Sequence, residues 1–277
     1  MDEIFDLIII GSGPAGVSAG LTARHRGKSA LIVTTAPEDS PLGKAEHIDN
    51  YPGFHSVTGA ELVRTFVAHA EASGVKIMRG RALAAADMGG IFGVSVGSNF
   101  VQGRSLVLAT GLTRAKPFSG EEEYLGRGVS YCATCDGMLY RGKRVAVIAL
   151  SADAPEEAEY LRSIGCEVEY FDNSRAKKYA IKGADRVDTL TADGVDYPCE
   201  CVFIFRPGIS PASLVPGLET DAGHIVVDRS MATNIPGVFA AGDVTGAPYQ
   251  VAKAAGEGNV AALSACKYIE RAAADNA

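Results

Sequence analysis

Tryptophan is absent from this 277-residue chain, aromatic residues make up only 7% of it, and cysteine occurs six times. So few aromatics leave little on which successive bases could stack, which excludes a single-strand nucleic-acid platform. Basic residues are also in deficit, 26 against 33 acidic, and the net charge of -7 offers no global positive field to a nucleic-acid backbone. Nucleic acid is therefore not expected as a partner. No apolar run approaches the ~20 residues that span a bilayer, and no membrane partner is expected. The opening Met1-Asp2-Glu3-Ile4-Phe5 lacks the basic region and cleavage pattern of a secretory signal, so a cytoplasmic protein is expected. Six cysteines are too sparse for a stapled secreted scaffold, and they supply a single C-x-x-C with no second pair at zinc-ribbon distance.

The chain is rich in apolar residues (47%) and in glycine (32 residues), enough for a sizeable core, two domains and several tight turns. Residues 4 to 10 form a nearly continuous apolar run ending at Gly11, as a buried parallel strand should. A helix-compatible stretch follows over 14 to 26, then a β-rich run over 29 to 35, together a βαβ unit of dinucleotide-binding size. After a Pro- and Gly-rich loop (Pro37, Pro41, Gly43, Pro52, Gly53), a helix is expected over 59 to 73 and a strand over 105 to 111. Past Lys116-Pro117 a second α/β unit begins, with a strand at 144 to 149, an acidic helix near 156 to 163 and a strand at 167 to 171. It ends near Arg206-Pro207-Gly208, and strands at 225 to 227 and 238 to 241 precede a last helix over about 248 to 273. The expected organisation is one domain from 1–116 and 207–277, interrupted by another at 117–206.

Gly11-Ser12-Gly13-Pro14-Ala15-Gly16 matches G-x-G-x-x-G between a strand and a helix, the context that lets backbone N–H groups hold a pyrophosphate. A ribose-binding acid is expected at the end of the second strand, where the chain carries Thr34, Thr35 and, slightly beyond, Glu38. In Thr233-Asn-Ile-Pro-Gly-Val-Phe-Ala-Ala-Gly-Asp243 an apolar strand delivers Gly242 and Asp243 to the ligand edge of an α/β sheet. Together these motifs resemble the two-part FAD signature of the two-domain flavoprotein reductases, and so do three further pieces. They are the stretch from Glu46 to Gly53 containing Asn50, Ala109-Thr110-Gly111, and Tyr249-Gln250-Val251 ahead of Ala255-Gly256. The resemblance implies an α/β fold with a discontinuous Rossmann-like FAD domain, FAD as cofactor, and Asp243 on the ribityl chain.

Cys132-Ala-Thr-Cys135-Asp136-Gly137 has the form of the redox motif of the thioredoxin reductases, which the chain resembles over nearly its whole length. Two thiols at this spacing can bridge, and nearby backbone N–H groups favour a thiolate. By resemblance Cys135 faces the flavin, Cys132 attacks the substrate disulfide, Asp136 donates and accepts the proton, and the protein is a homodimer acting on thioredoxin. The competing reading is half of a zinc site completed by Cys199 and Cys201, which a C-x-C spacing within one strand would aim at one face. It leaves the FAD signature and Asp136 without a role, so no metal is expected. Cys166, Cys199, Cys201 and Cys266 read as buried apolar packing.

The inserted domain departs from the ordinary reductases. After the strand at 144–149 the turn has no glycine and carries Asp153, Glu156 and Glu157, which repel phosphate at a helix start. The Arg-rich reader of the NADPH phosphate is missing as well, since Asp172-Asn-Ser-Arg-Ala176 stands in its place. A shortened central domain of this kind resembles the ferredoxin-dependent flavin thioredoxin reductases and their diflavin relatives, which implies reduced ferredoxin as donor. Local basic clusters suit an acidic donor: Arg141, Lys143 and Arg144, then Arg175, Lys177, Lys178, Lys182 and Arg186. The alternatives are a dithiol oxidase passing electrons to oxygen and a redox-sensing flavoprotein.

Overall fold

The computed structural model describes residues 3–36, 38, 40–111, 117–151, 153–206 and 211–275, without the side chains of Cys135 and Ala212. Lys116, Pro207 and Gly208, at the expected domain junctions, lie outside the described residues, as does Pro37. The chain forms two compact units, Met1–Thr113 with Ser210–Ala277, and Arg114–Ile209.

Labelled in chain order, the first unit begins with β1 (Ile4–Ile10), α1 (Pro14–His25), β2 (Ala30–Thr34), α2 (Gly59–Ala72) and β3 (Lys76–Arg79). A meander of β4 (Ala82–Asp87), β5 (Phe92–Val96) and β6 (Asn99–Leu108) follows. β1 pairs in parallel with β2 on one side and β6 on the other. That central position buries Leu7, Ile8, Ile9 and Ile10, which is why the strand reads as a continuous apolar run rather than an alternation. α2 starts at a capping box: the Glu61 carboxylate accepts from Thr58 N–H (3.1 Å) while Glu61 N–H donates to Thr58 Oγ1 (3.3 Å).

The second unit contains β7 (Val129–Ser130), α3 (Ala133–Asp136), β8 (Arg144–Ala149), α4 (Ala154–Ser163) and β9 (Glu167–Phe171). It continues with β10 (Tyr179–Gly183), β11 (Val187–Ala192), β12 (Val195–Pro198) and β13 (Cys201–Phe205). A parallel sheet β7-β13-β8-β9 stands beside an antiparallel sheet β10-β11-β12. Side chains of β8 and β13 alternate faces. Val145, Val147, Cys201, Phe203 and Phe205 pack with Ala154, Ala158 and Leu161 of α4. Ala146, Ile148, Val202 and Ile204 pack with Ile181, Val187 and Leu190 of the antiparallel sheet. This corrects the expectation that Cys199 and Cys201 share a face: Cys199 precedes β13, and the two thiols enter different cores. Both are buried and free, and burial pushes Cys199 up to about 11 and Cys201 well above the ordinary thiol range.

The chain then completes the first unit with α5 (Pro211–Leu214), β14 (Thr220–Asp221), β15 (His224–Ile225), β16 (Val238–Ala240) and α6 (Val251–Asp275). The strand expected over 225 to 227 shrinks to half of the β14–β15 hairpin, and Val226 is already exposed. β16 pairs in parallel with the C-terminal half of β6, on the edge whose N-terminal half pairs with β5. The parallel strands β3, β2, β1, β6 and β16 therefore end side by side.

In the second unit Glu121 and Arg206 form a buried bidentate pair at 3.0 and 2.9 Å. Tyr131 donates its hydroxyl to Glu121 (2.9 Å), Phe118 donates its N–H (2.8 Å), and the guanidinium lies 4.8 Å from the Phe118 ring centroid. Burial, then the Glu121 charge, raises the Tyr131 phenol above its ordinary range, so it stays a donor. Arg206→Met, which strands the Glu121 carboxylate, is expected to cost about 3–5 kcal/mol in urea unfolding, and adding Glu121→Leu should recover most of the loss. Equal stability of the single and double variants would contradict this account.

Candidate functional site

Two sites form, one in each unit. In the first, the ends of β1, β6 and β16 bring together the sequence-predicted residues Gly11 to Gly16, Ala109 to Gly111, and Gly242 with Asp243. Gly11 has φ +112°, and a Cβ there would overlap the Ala109 carbonyl, while a Cβ on Gly16 would overlap the Gly11 carbonyl. Only glycine allows α1 to begin this close to two strand ends. Gly13 caps α1 without a side-chain hydrogen bond, Pro14 follows at the first turn, and Ala15 is buried beneath. The first N–H groups of α1 are thus free of side-chain caps, as an anion site requires.

Two observations test whether FAD fits. A Cβ on Gly13 would meet nothing within 4 Å, so the backbone there borders open space of the kind a pyrophosphate fills. Thr110 Oγ1 is buried with no hydrogen-bond partner among the described residues, at the strand end beside Gly11. An orphaned hydroxyl next to an uncapped helix start suits a polar ligand. The residues present fit the cofactor.

The remaining predicted residues fall into three groups. Ser12 and Thr34 are buried with their hydroxyls 2.7 Å apart, and Thr34 donates to the Thr35 carbonyl (3.1 Å). Thr34 therefore orders the strand end internally, and the exposed Glu38, 4.0 Å from Arg79, is the acid facing solvent beyond β2. Asn50 donates its amide to Gln250 Oε1 (2.8 Å), joining the 46–53 loop to the start of α6 at Val251. Tyr249 is exposed, with its hydroxyl 3.0 Å from His224 Nε2.

In this first site two residues escaped the sequence reading. Lys253 Nζ donates to the carbonyls of Gly242 (3.0 Å) and Gly246 (2.6 Å) and pairs with Glu257 (3.1 Å). Glu257 in turn accepts from Gly242 N–H (2.8 Å) and the Thr245 hydroxyl (3.0 Å). One helical turn of α6 thus clamps the loop that carries Asp243. Their i, i+4 spacing on the last helix was the available signal. Asp243 itself is half-buried, and desolvation pushes its carboxyl up from the usual range, opposed by Lys253 and reinforced by Glu257.

The second site lies on α3. Cys132 is buried and disulfide-bonded, whereas Cys166, Cys199, Cys201 and Cys266 are free; the Cys135 side chain lies outside the described residues. Asp136 accepts a 2.7 Å hydrogen bond from the hydroxyl of Ser130, a residue not singled out in the sequence. Among the described residues no group of three His, Cys, Asp or Glu side chains could hold a metal ion, and no helix is long and apolar enough to cross a membrane.

A discontinuous dinucleotide-binding unit and a separate unit with a disulfide beside a carboxylate define the class: a flavin-linked disulfide oxidoreductase. The pyridine nucleotide-disulphide oxidoreductase profile matches residues 5–177 and 173–258. The thioredoxin reductase of Listeria monocytogenes is 31% identical over 97% of this chain and 95% of its own. The crystal structure of a ferredoxin-flavin thioredoxin reductase from Clostridium acetobutylicum superposes with a TM-score of 0.88 at 38% identity, covering 97% of this chain and 98% of that one. A thioredoxin reductase from Gloeobacter violaceus gives 0.80 at 30% identity, over 96% and 94% of the two chains. The chain belongs to the pyridine nucleotide-disulphide oxidoreductase family, among the relatives of the thioredoxin reductases, whose cofactor is FAD.

Gly13→Val has room for its side chain in the folded protein but fills the cradle. It should fold, at a capping cost of about 1 kcal/mol, and purify without the flavin absorbance of the wild type. Retention of full FAD by this variant would disprove the assignment.

Asp243 gives a second expectation, with a definite sign. A carboxyl raised in the folded state opposes folding once it ionises, so its cost is absent in acid and grows as pH rises through its folded value. Asp243→Asn should therefore raise the melting temperature of the FAD-free protein at neutral pH, lose that advantage in acid, and bind FAD more weakly.

Proposed function

We propose that this protein is a flavin-dependent thioredoxin reductase whose electrons come from reduced ferredoxin rather than NADPH. Gly11 to Gly16 and Asp243 would hold FAD, which once reduced would supply the two electrons and two protons that open the Cys132 disulfide. The resulting dithiol reduces the substrate. The Cys132 thiolate attacks one sulfur of the substrate disulfide, the S–S bond breaks, and Asp136 protonates the leaving thiolate. The thiolate of Cys135 then displaces the second substrate thiol and restores the Cys132–Cys135 disulfide.

The observation that carries the donor reading is the start of α4. β8 leads into α4 in the second unit as β1 leads into α1 in the first, yet Glu156 and Glu157 occupy the first turn behind Asp153. Those carboxylates take the favourable end of the helix dipole that a pyrophosphate would otherwise use. The end of β9 supports the same reading. Arg175 pairs with Glu169, donates to the Tyr170 carbonyl (2.8 Å) and stacks 4.4 Å from the Phe171 ring centroid, so it is committed internally rather than to a ribose phosphate. Asp172 accepts from Ser174 and the Arg175 N–H, and the Ser174 hydroxyl foremost holds its carboxyl low.

Part of the expected basic surface is also neutralised, Arg175 by Glu169 and Lys182 by Asp196. What favours a protein partner is the segment that follows the redox helix. Met138 and Leu139 are 54% and 69% exposed, and Arg141, Lys143 and Arg144 are exposed just beyond them. An apolar pair rimmed by positive charge suits the docking of a small acidic protein. Homodimerisation through the FAD-binding unit belongs to the same reading.

The test is anaerobic. Reduced ferredoxin should bleach the flavin and drive thioredoxin reduction at a rate that falls with salt, NADPH and NADH should do neither, and Cys132→Ser should abolish thioredoxin reduction while keeping FAD. Fast bleaching by NADPH would restore the ordinary reductase reading. Steady turnover with a dithiol and oxygen, and with neither donor, would establish a dithiol oxidase instead.

A further inference from the structure

The residue that ties the carboxyl of α3 to its cysteine is Ser130, at the end of the edge strand β7. Phe203 of β13 is its ladder partner, and the residue is 4% exposed. Its hydroxyl makes three contacts. It donates to Asp136 Oδ2 at 2.7 Å, accepts the Cys132 N–H at 3.1 Å, and has the Cys132 carbonyl at 3.3 Å. Asp136 closes the loop by donating its own N–H to that same carbonyl at 3.3 Å.

We propose that Ser130 is a positioning residue that holds the Asp136 carboxyl beside Cys132 in both of its protonation states. A hydroxyl has one proton to give and two lone pairs. While Asp136 is ionised, the Ser130 proton serves the shorter, 2.7 Å contact to Oδ2. Once Asp136 takes the proton of the Cys132 thiol, the new carboxylic acid donates to Ser130 Oγ, and the serine proton turns to the Cys132 carbonyl. The Cys132 N–H keeps the remaining lone pair throughout. Ser130 Oγ, Asp136 Oδ2 and the Cys132 N–H and carbonyl are matched in both states, so the carboxyl can pass its proton to the leaving thiolate without moving. The cycle balances: the proton leaves Cys132, rests on Asp136 and ends on the substrate thiol, while the electron pair of the attacking thiolate forms the new S–S bond. Tyr140, whose hydroxyl bonds to the Cys201 side chain, and Cys201 itself also lie within electrostatic reach of Asp136.

This inference rests on the role given to Asp136 above, and the test separates the two. Enzyme with FAD bound is reduced by dithiothreitol, desalted anaerobically and mixed with one of two acceptors. The leaving thiol of 2-hydroxyethyl disulfide needs a proton, whereas the aromatic thiolate from 5,5'-dithiobis(2-nitrobenzoate) leaves without one. With the alkyl acceptor Ser130→Ala should react about tenfold slower than wild type, Asp136→Asn slower still, and the double variant within about twofold of Asp136→Asn. With the aromatic acceptor the Ser130→Ala penalty should shrink at least about fivefold. Should Ser130→Ala not accumulate, Ser130→Cys, a poor donor, takes its place in the cycle. Equal slowing with both acceptors, a penalty that survives in the Asp136→Asn background, or no penalty at all would overturn the role of Ser130. Failure of the wild type to reduce thioredoxin would overturn the functional reading and leave this comparison standing.

Discussion

Everything in the first unit follows from how tightly β1, β6 and the start of α1 are packed at one edge of the sheet. Gly11 lies against the Ala109 carbonyl and Gly16 against the Gly11 carbonyl. A single methyl group at either position would push the helix off the strands. Because there is none, the uncapped first turn of α1 sits directly over the strand ends, and a backbone N–H gradient is aimed at the place where β6 and β16 also terminate. Burial of β1 between two parallel neighbours fixes the register that keeps this meeting point in place. The clamp of Lys253 and Glu257 on the Gly242–Gly246 loop depends on the same point, since a Cβ on Gly242 would come to 3.0 Å from the Ala15 methyl of α1.

The second unit repeats the strand–turn–helix unit without the crowding. Its parallel sheet is buried on both faces, so the architecture survives, but the turn after β8 carries acids where the first unit carries glycines. Fold and ligand chemistry separate here. A sheet needs only apolar strands of the right length, whereas a phosphate site needs close backbone approach and an uncompensated helix end. An acid-bearing turn costs the fold nothing, and the acids even stabilise α4 through its dipole.

How much of this was legible in the sequence follows from the range of each interaction. β1, α1, β8 and β9 were readable to within a residue or two because their signals, apolar runs and helical period, are local. The glycine motif was readable because its steric demand is written into six consecutive residues. What could not be read joins distant residues or depends on which side of a strand begins where. Glu121 and Arg206 are 85 positions apart and form one buried pair. Cys199 and Cys201 looked like neighbours on one face, but the first falls in the turn ahead of β13, so strand alternation does not relate them. Ser130 was invisible for a third reason: a serine in an apolar strand end has no periodic signature, and only the folded loop shows its hydroxyl turned onto Asp136.

Glu121, Asp136 and Asp243 differ chiefly in how their charge is matched. Glu121 is buried and fully answered by Arg206, Tyr131 and the Phe118 N–H, which makes it a fixed strut with no capacity left for a ligand. Among the described residues Asp136 has the Ser130 hydroxyl as its side-chain partner, and on the role proposed above that hydroxyl reverses its direction as the carboxyl takes and gives a proton. Asp243 has Lys253 and Glu257 nearby with opposing effects, and desolvation leaves its charge under-compensated. A half-buried carboxylate whose charge is under-compensated costs energy, and a ligand that donates hydrogen bonds to it recovers that energy on binding. On the roles proposed above, full compensation serves structure, a reversible mismatch serves proton transfer, and a standing one serves the cofactor.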